Sequence, residues 1–331
     1  MNFYKSSKRA KFYSTFLTIL GVSSVMMAQS ALSDGVVNYN TADGMLTLPR
    51  VHVGVDQYEV TMKKQPGDDF KFVMTDAKLV SMLTFKDSQN PEFSKAVLLS
   101  ELIAQFPSQE IKVFDPTENR EKTFRAVSTN SVLDSIYGPE WRTREEVVTA
   151  ALDGYESVIS VDRFIKYNSF IAYEDTKRPQ FVLVKGSDGK LVELGPFWLI
   201  WDNINQPDLK AWVSYGWPWQ MNSINFVKTA ERFANSVPPV GSAENIRRGF
   251  ESTREFCMAC HKINGDGGTR GPELIKTGEI AKETKEDLKL MITDIKFTPS
   301  KASGMVLRDE IPNRDQVADD IVDYLFAMAG R

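Results

Sequence analysis

The chain has 331 residues, enough for two or three domains at roughly 100–200 residues each. Apolar residues make up 42% and charged residues 25%, ordinary globular usage that excludes wholesale disorder. Two cysteines and two histidines exclude a disulfide framework and a multi-histidine metal cage, and a formal net charge of −4 speaks against nucleic-acid binding, which needs a basic face.

Four of the bases, Lys5, Lys8, Arg9 and Lys11, stand in the first 33 residues, where there is no acid. The remainder holds 36 bases against 44 acids, a net charge of −8, which suits basic protein surfaces or cations as charged partners. Behind Lys11 an uncharged run from Phe12 to Ala28 carries Phe16, Leu17, Ile19, Leu20, Val22, Val25, Met26 and Met27. A basic start, an apolar run and the small residues Ala28, Ser30, Ala31 and Ser33 form the pattern of a secretory signal peptide over residues 1–33. Cleavage after Ser30 and cleavage after Ser33 both fit. The run is too short and too rich in Ser and Thr for a membrane span of about 20 residues, so the expectation is an exported, periplasmic chain with no integral membrane span after processing.

Residues 34–85 read as a β-rich segment. Asp43-Gly44 forms a hairpin-type turn between Val36–Tyr39 and Met45–Leu48, and apolar residues then alternate at Val51, Val53, Val55 and at Tyr58, Val60, Met62. His52 with Met45, Met62 and Met74 has the donor types of a copper site. A surface histidine above core methionines accounts for the same residues.

Residues 90–230 mix helical and strand signals. Val97-Leu98, Leu102 and Ile103 have helical spacing before Pro107, and strands are expected at Ile111–Phe114, Val158–Val161, Phe181–Val184 and Ile224–Val227, with a Ser187-Asp188-Gly189 turn. Five of the six tryptophans fall between Trp198 and Trp219, which reads as large aromatics filling one core, or as an aromatic ligand cradle. The stretch resembles the molybdopterin-binding fold of the sulfite oxidase family through Gly195, Pro196, Trp198, Leu199, Ile200, Pro207, Leu209, Trp217, Trp219, Gln220, Ile224 and Val227. Leu152-Asp153-Gly154-Tyr155, followed by Ile159, adds to it. The resemblance implies an α+β sulfite-oxidase-like domain. That family binds molybdenum through a cysteine thiolate, and this region has no cysteine, so the expectation is a fold kept without its metal.

Residues 231–243, with Pro238, Pro239 and Gly241, read as a Pro-rich linker before a final domain at 244–331. There, Cys257-Met258-Ala259-Cys260-His261 is the C-x-x-C-H attachment motif for c-type haem, and it uses both cysteines of the chain. On a helical turn, positions i and i+3 share a side, so two thiols reach one porphyrin and the next residue brings an imidazole to the iron. A thioredoxin-like pair needs a βαβ setting and a zinc site a second ligand pair, and the sequence offers neither.

This segment resembles class I cytochromes c: Gly249 and Phe250 occupy the family's glycine–aromatic position, and Tyr324 the aromatic of the closing helix. Asn313 with Gln316 suggests a capping box for that helix, and Val317, Ile321, Leu325 and Met328 its apolar stripe. The resemblance implies an all-α domain with one haem c on Cys257 and Cys260, and His261 as one axial ligand. Pro272 would accept a hydrogen bond from that imidazole, and Arg270 would face a propionate or solvent. Met305, in the loop before the last helix, is the expected second axial ligand among Met258, Met291, Met305 and Met328. The whole reads as an exported electron-transfer cytochrome with a fused docking domain and an unidentified periplasmic redox partner. A molybdopterin-dependent oxidoreductase feeding its own haem and a haem-based sensor are the alternatives.

Overall fold

The computed structural model describes residues 38–330 apart from 41, 54, 68–71, 117, 179–181, 184–191, 213–214, 279 and 298–305. The expected signal peptide, the Ser187-Asp188-Gly189 turn and Met305 lie outside the described residues. The chain divides into two compact units, Met1–Val80 and Ser81–Arg331.

In the first unit β1 (Asn38–Asn40), β2 (Met45–Val53), β3 (Asp56–Lys64) and β4 (Phe72–Leu79) form an antiparallel sheet in sequence order. The Asp43-Gly44 turn sets the first register, Asn40 opposite Met45, and the Asp43 carboxylate accepts from the Met45 amide at 2.9 Å. Pro49 has no amide proton for the ladder, and the β2–β3 register slips between Leu48 and Val51. Leu48, Val51 and Val60 make a small core with Tyr58, Met62 and Met74 packed on it. The unit ends earlier than the expected boundary at 85, because Met82–Asp87 pairs into the next sheet.

The second unit opens with an α+β domain of two sheets. One holds β5 (Met82–Asp87), β6 (Ser94–Leu98), β9 (Glu146–Ala151), β10 (Glu156–Ser160) and β15 (Met221–Val227) in the order β10-β9-β15-β5-β6, with β15 and β5 parallel. The other holds β7 (Gln109–Asp115), β8 (Arg120–Ser128), β11 (Ser169–Asp175) and β14 (Trp198–Trp201) in the order β14-β11-β8-β7. Val182–Leu183 and Val192–Glu193 form a separate two-residue ladder, β12 and β13. Helices α1 (Leu99–Gln105), α2 (Thr129–Tyr137) and α3 (Val161–Lys166) connect the sheets. Trp141, Trp198, Trp201 and Trp217 are buried, so the aromatic stretch fills the core. Two of its indole protons are matched, Trp198 donating to the Trp217 carbonyl at 3.1 Å and Trp201 to that of Gly216 at 2.7 Å, while the buried Trp217 Nε1 has no partner among the described residues.

A helical domain follows: α4 (Glu244–Phe256), α5 (Lys285–Thr293) and α6 (Arg314–Met328). Ile321 and Leu325 are buried on α6, as the stripe predicts. The capping box does not form. Asn313 takes a left-handed backbone, φ 53°, with no side-chain cap bond, and Gln316 donates instead to Asp320 at 3.0 Å. The start of the expected linker is also built into this domain. Phe233 is fully buried against Phe250, and Ser236 donates to Asp266 at 3.0 Å while its carbonyl accepts from the Tyr324 hydroxyl at 2.7 Å. An apolar ring gains more from that core than from solvent, and only the Pro-rich stretch around the exposed Val237 and Val240 runs outside it.

Candidate haem-attachment site

Helix α4 delivers the two cysteines. The amides of Cys257 and Met258 both bond the Thr253 carbonyl at 2.9 Å, and those of Cys260 and His261 bond the Cys257 carbonyl at 3.1 and 3.0 Å. The helix thus ends on a shared carbonyl at Thr253 and passes into one closed turn that carries both thiols and the imidazole. Both thiols are partly buried and free. Burial pushes the Cys257 thiol up to about 12, and the neighbouring Cys260 adds to the shift. Burial raises Cys260 as well, opposed by the Arg270 guanidinium. A reactive dithiol needs a lowered thiol pKa, and neither thiol has one.

His261 is buried, and its Nδ1 lies 2.8 Å from the carbonyl oxygen of Pro272. A carbonyl can only accept, so Nδ1 carries the proton and the Nε2 lone pair is left for a metal. Gly271 makes room for this arrangement. A Cβ there would stand 2.6 Å from the imidazole Cε1 and 2.7 Å from Nδ1. The Gly271 amide also donates to the Cys260 carbonyl at 2.7 Å, which ties the loop to the motif. Ile280, Leu288, Ile292, Leu307, Ile311 and Leu325 supply apolar bulk in the same core. Two thiols and one oriented imidazole on a single turn, set on an apolar core, fit a covalently held haem.

Of the remaining site residues, Arg270 makes an ion pair with Asp153 of the α+β domain, Nε to Oδ2 at 3.1 Å. Met258 is fully buried, and Met291 and Met328 pack against the helical core. Sequence reasoning missed Asp153 and, beside the motif, the half-buried Glu255 that shares a cavity with the buried Arg163. The Asp-Gly-Tyr signal was visible, but nothing in it tells which domain the turn faces.

The sequence model of the cytochrome c family matches residues 246–328, from within α4 to the end of α6. This domain implies covalently bound haem c, haem-based electron transfer and a redox partner. A comparison with curated proteins gives no match. Among the described residues no helix is long and apolar enough to cross a membrane.

Proposed function

We propose that the chain is an exported, periplasmic electron-transfer cytochrome with one haem c, joined through thioethers to Cys257 and Cys260 and held by His261 and Met305. When bound, the haem cycles between ferric and ferrous iron, and two occupied axial positions suit electron transfer rather than substrate binding. The observation that carries the reading is the 2.8 Å pair between His261 Nδ1 and the Pro272 carbonyl, directly behind a C-x-x-C-H turn. Such a bond fixes the tautomer and the ring plane of an axial imidazole. Residues 1–33 act as the cleaved signal, and the α+β domain is a sulfite-oxidase-like fold that takes no molybdenum, for want of a cysteine thiolate.

Intact mass after expression with a haem-attachment system tests this. The expected product is a chain starting at Ala31 or Asp34 plus one haem that acid–acetone does not extract. Elemental analysis of protein from molybdate-fed cells should give iron near one per chain and molybdenum at background. Extractable haem overturns the attachment. Stoichiometric molybdenum makes the protein an oxidoreductase, and carbon monoxide binding by the reduced parent makes it a sensor.

A further inference from the structure

The Asp153-Gly154-Tyr155 turn joins β9 to β10 and is closed from within. The Ala151 amide bonds the Tyr155 carbonyl at 2.8 Å, and the Tyr155 amide bonds Asp153 Oδ1 at 3.1 Å. Gly154 sits at φ +87°, and a Cβ on it would stand 2.4 Å from Thr269 Oγ1. The reason for that closeness lies in the other domain. The Thr269 amide donates to the Gly154 carbonyl at 2.8 Å, and the Glu156 amide donates at 2.7 Å to the carbonyl of Ala259, which stands between the two cysteines. The turn is therefore bonded through its backbone to both sides of the attachment site.

These bonds carry a charge pair with them. Asp153 Oδ2 lies 3.1 Å from Arg270 Nε, and the next residue, Gly271, donates its amide to the Cys260 carbonyl at 2.7 Å. The two opposite charges thus stand one residue from a backbone bond to the attachment motif. A lone cation at this place favours the iron after it has gained an electron; a carboxylate beside it cancels most of that field.

We infer that Asp153 is a positioning residue for the haem: it holds and neutralises Arg270 beside Cys260, so that the α+β domain is a fixed cap which helps to set the reduction potential. The inference rests on the electron-transfer reading above. The pair is partly exposed, with side chains 47% and 29% accessible, so its field is screened by salt and its own contribution to stability is small. Its position is maintained by the two interdomain backbone bonds.

The test is spectroelectrochemical titration of the full-length protein with bound haem, at low and high ionic strength, for the parent, Asp153→Asn, Arg270→Gln and the double variant. Asn keeps the Oδ1 acceptor of the turn, so the variant removes the charge alone. Asp153→Asn should raise the midpoint potential, Arg270→Gln should lower it, and the double variant should return close to the parent. Arg270→Lys, which keeps the cation, should stay near the parent, and high salt should shrink the whole spread. A purely structural role would change the unfolding midpoint without moving the potential in opposite directions. Covalent haem with an unmoved potential in Asp153→Asn overturns the inference alone. A parent protein without covalent haem overturns the electron-transfer reading and the inference with it.

Discussion

Gly249 of α4 lies against the backbone of Asp320 in α6: a Cβ placed on it would stand 1.9 Å from the Asp320 carbonyl oxygen and 2.7 Å from the Tyr324 Cβ. The two helices are in contact at their main chains. Around this point Arg248 grips the buried Asp320 carboxylate with bonds of 2.8 and 3.0 Å, and Phe250 meets Tyr324 with ring centroids 5.7 Å apart.

Gly249→Ala puts a methyl group where helix backbone stands, and backbone cannot rotate away. The expected cost is about 2–3 kcal/mol, the upper part of the range for overpacking. Chemical denaturation of the haem-loaded protein measures it. A variant as stable as the parent would mean that the crossing opens freely.

Gly271→Ala should disturb iron ligation, since its Cβ would meet three ring atoms of His261 within 3.0 Å. A displaced ring loses its bond to the Pro272 carbonyl and, with it, a fixed orientation. Absorption spectra of the oxidised protein should show a mixture of ligation states. Met305→Ala should remove the weak long-wavelength sulfur-to-iron band, lower the potential and open the reduced iron to carbon monoxide. Met291→Ala should keep that band and cost about 2–5 kcal/mol through its cavity, less for its partial exposure. The band surviving in the first and vanishing in the second would reassign the ligand.

Phe233→Ala should destabilise the haem domain by about 3–5 kcal/mol, although the residue precedes the helices of that domain. The ring is fully buried, 5.9 Å from Phe250 between centroids and 4.8 Å from the Arg254 guanidinium. Thermal unfolding followed at the haem absorption gives the value. No change would return this segment to the role of a free linker.

Stability should fall as pH rises from about 5 to 7. Burial lifts the Glu255 carboxyl from 4.5 to about 7, against the lowering effects of Arg163 and Arg254, and Glu251 adds to the rise. Its Oε1 has no hydrogen-bond partner, and it lines a cavity of about 150 Å³ with Glu146, Arg163, Tyr215 and Arg254. A carboxyl with a raised folded pKa binds its proton more tightly in the native state. Stability is therefore greatest below the ordinary glutamate range and declines until the folded pKa is passed, by up to about 3 kcal/mol. Burial raises Glu146 too, in the same sense. Glu255→Gln should flatten the decline in melts taken from pH 5 to 8, and an unchanged slope would assign it to other groups.

Local signals carried much of this structure. The Asp43-Gly44 turn, the strands at 111–114 and 224–227 and the apolar stripe of α6 follow from spacing alone, because turn chemistry and periodicity act between near neighbours. The haem turn was legible for the same reason: its two thiols and imidazole fall within five residues. Phe233 and Asp153 were not. Their partners, Phe250 and Arg270, come from another domain or from beyond a proline-rich stretch, and no pattern in their own segments encodes that. The Asn313 cap failed because a side chain able to cap also tolerates the left-handed backbone it adopts here.

The place of β15 has a consequence for biogenesis. It is the central strand of its sheet, between β9 and β5, yet it is the last of the five to be made. While a chain is synthesised from its N-terminus, β5–β6 and β9–β10 wait as two separate ribbons, each with an open inner edge. Val227 closes the sheet only 30 positions before Cys257. The strand that closes the sheet and the two cysteines are thus made close together. Once the Glu156 amide takes the Ala259 carbonyl, the segment between the cysteines is held against the α+β domain. A haem joined before docking meets a freer turn than one joined after it.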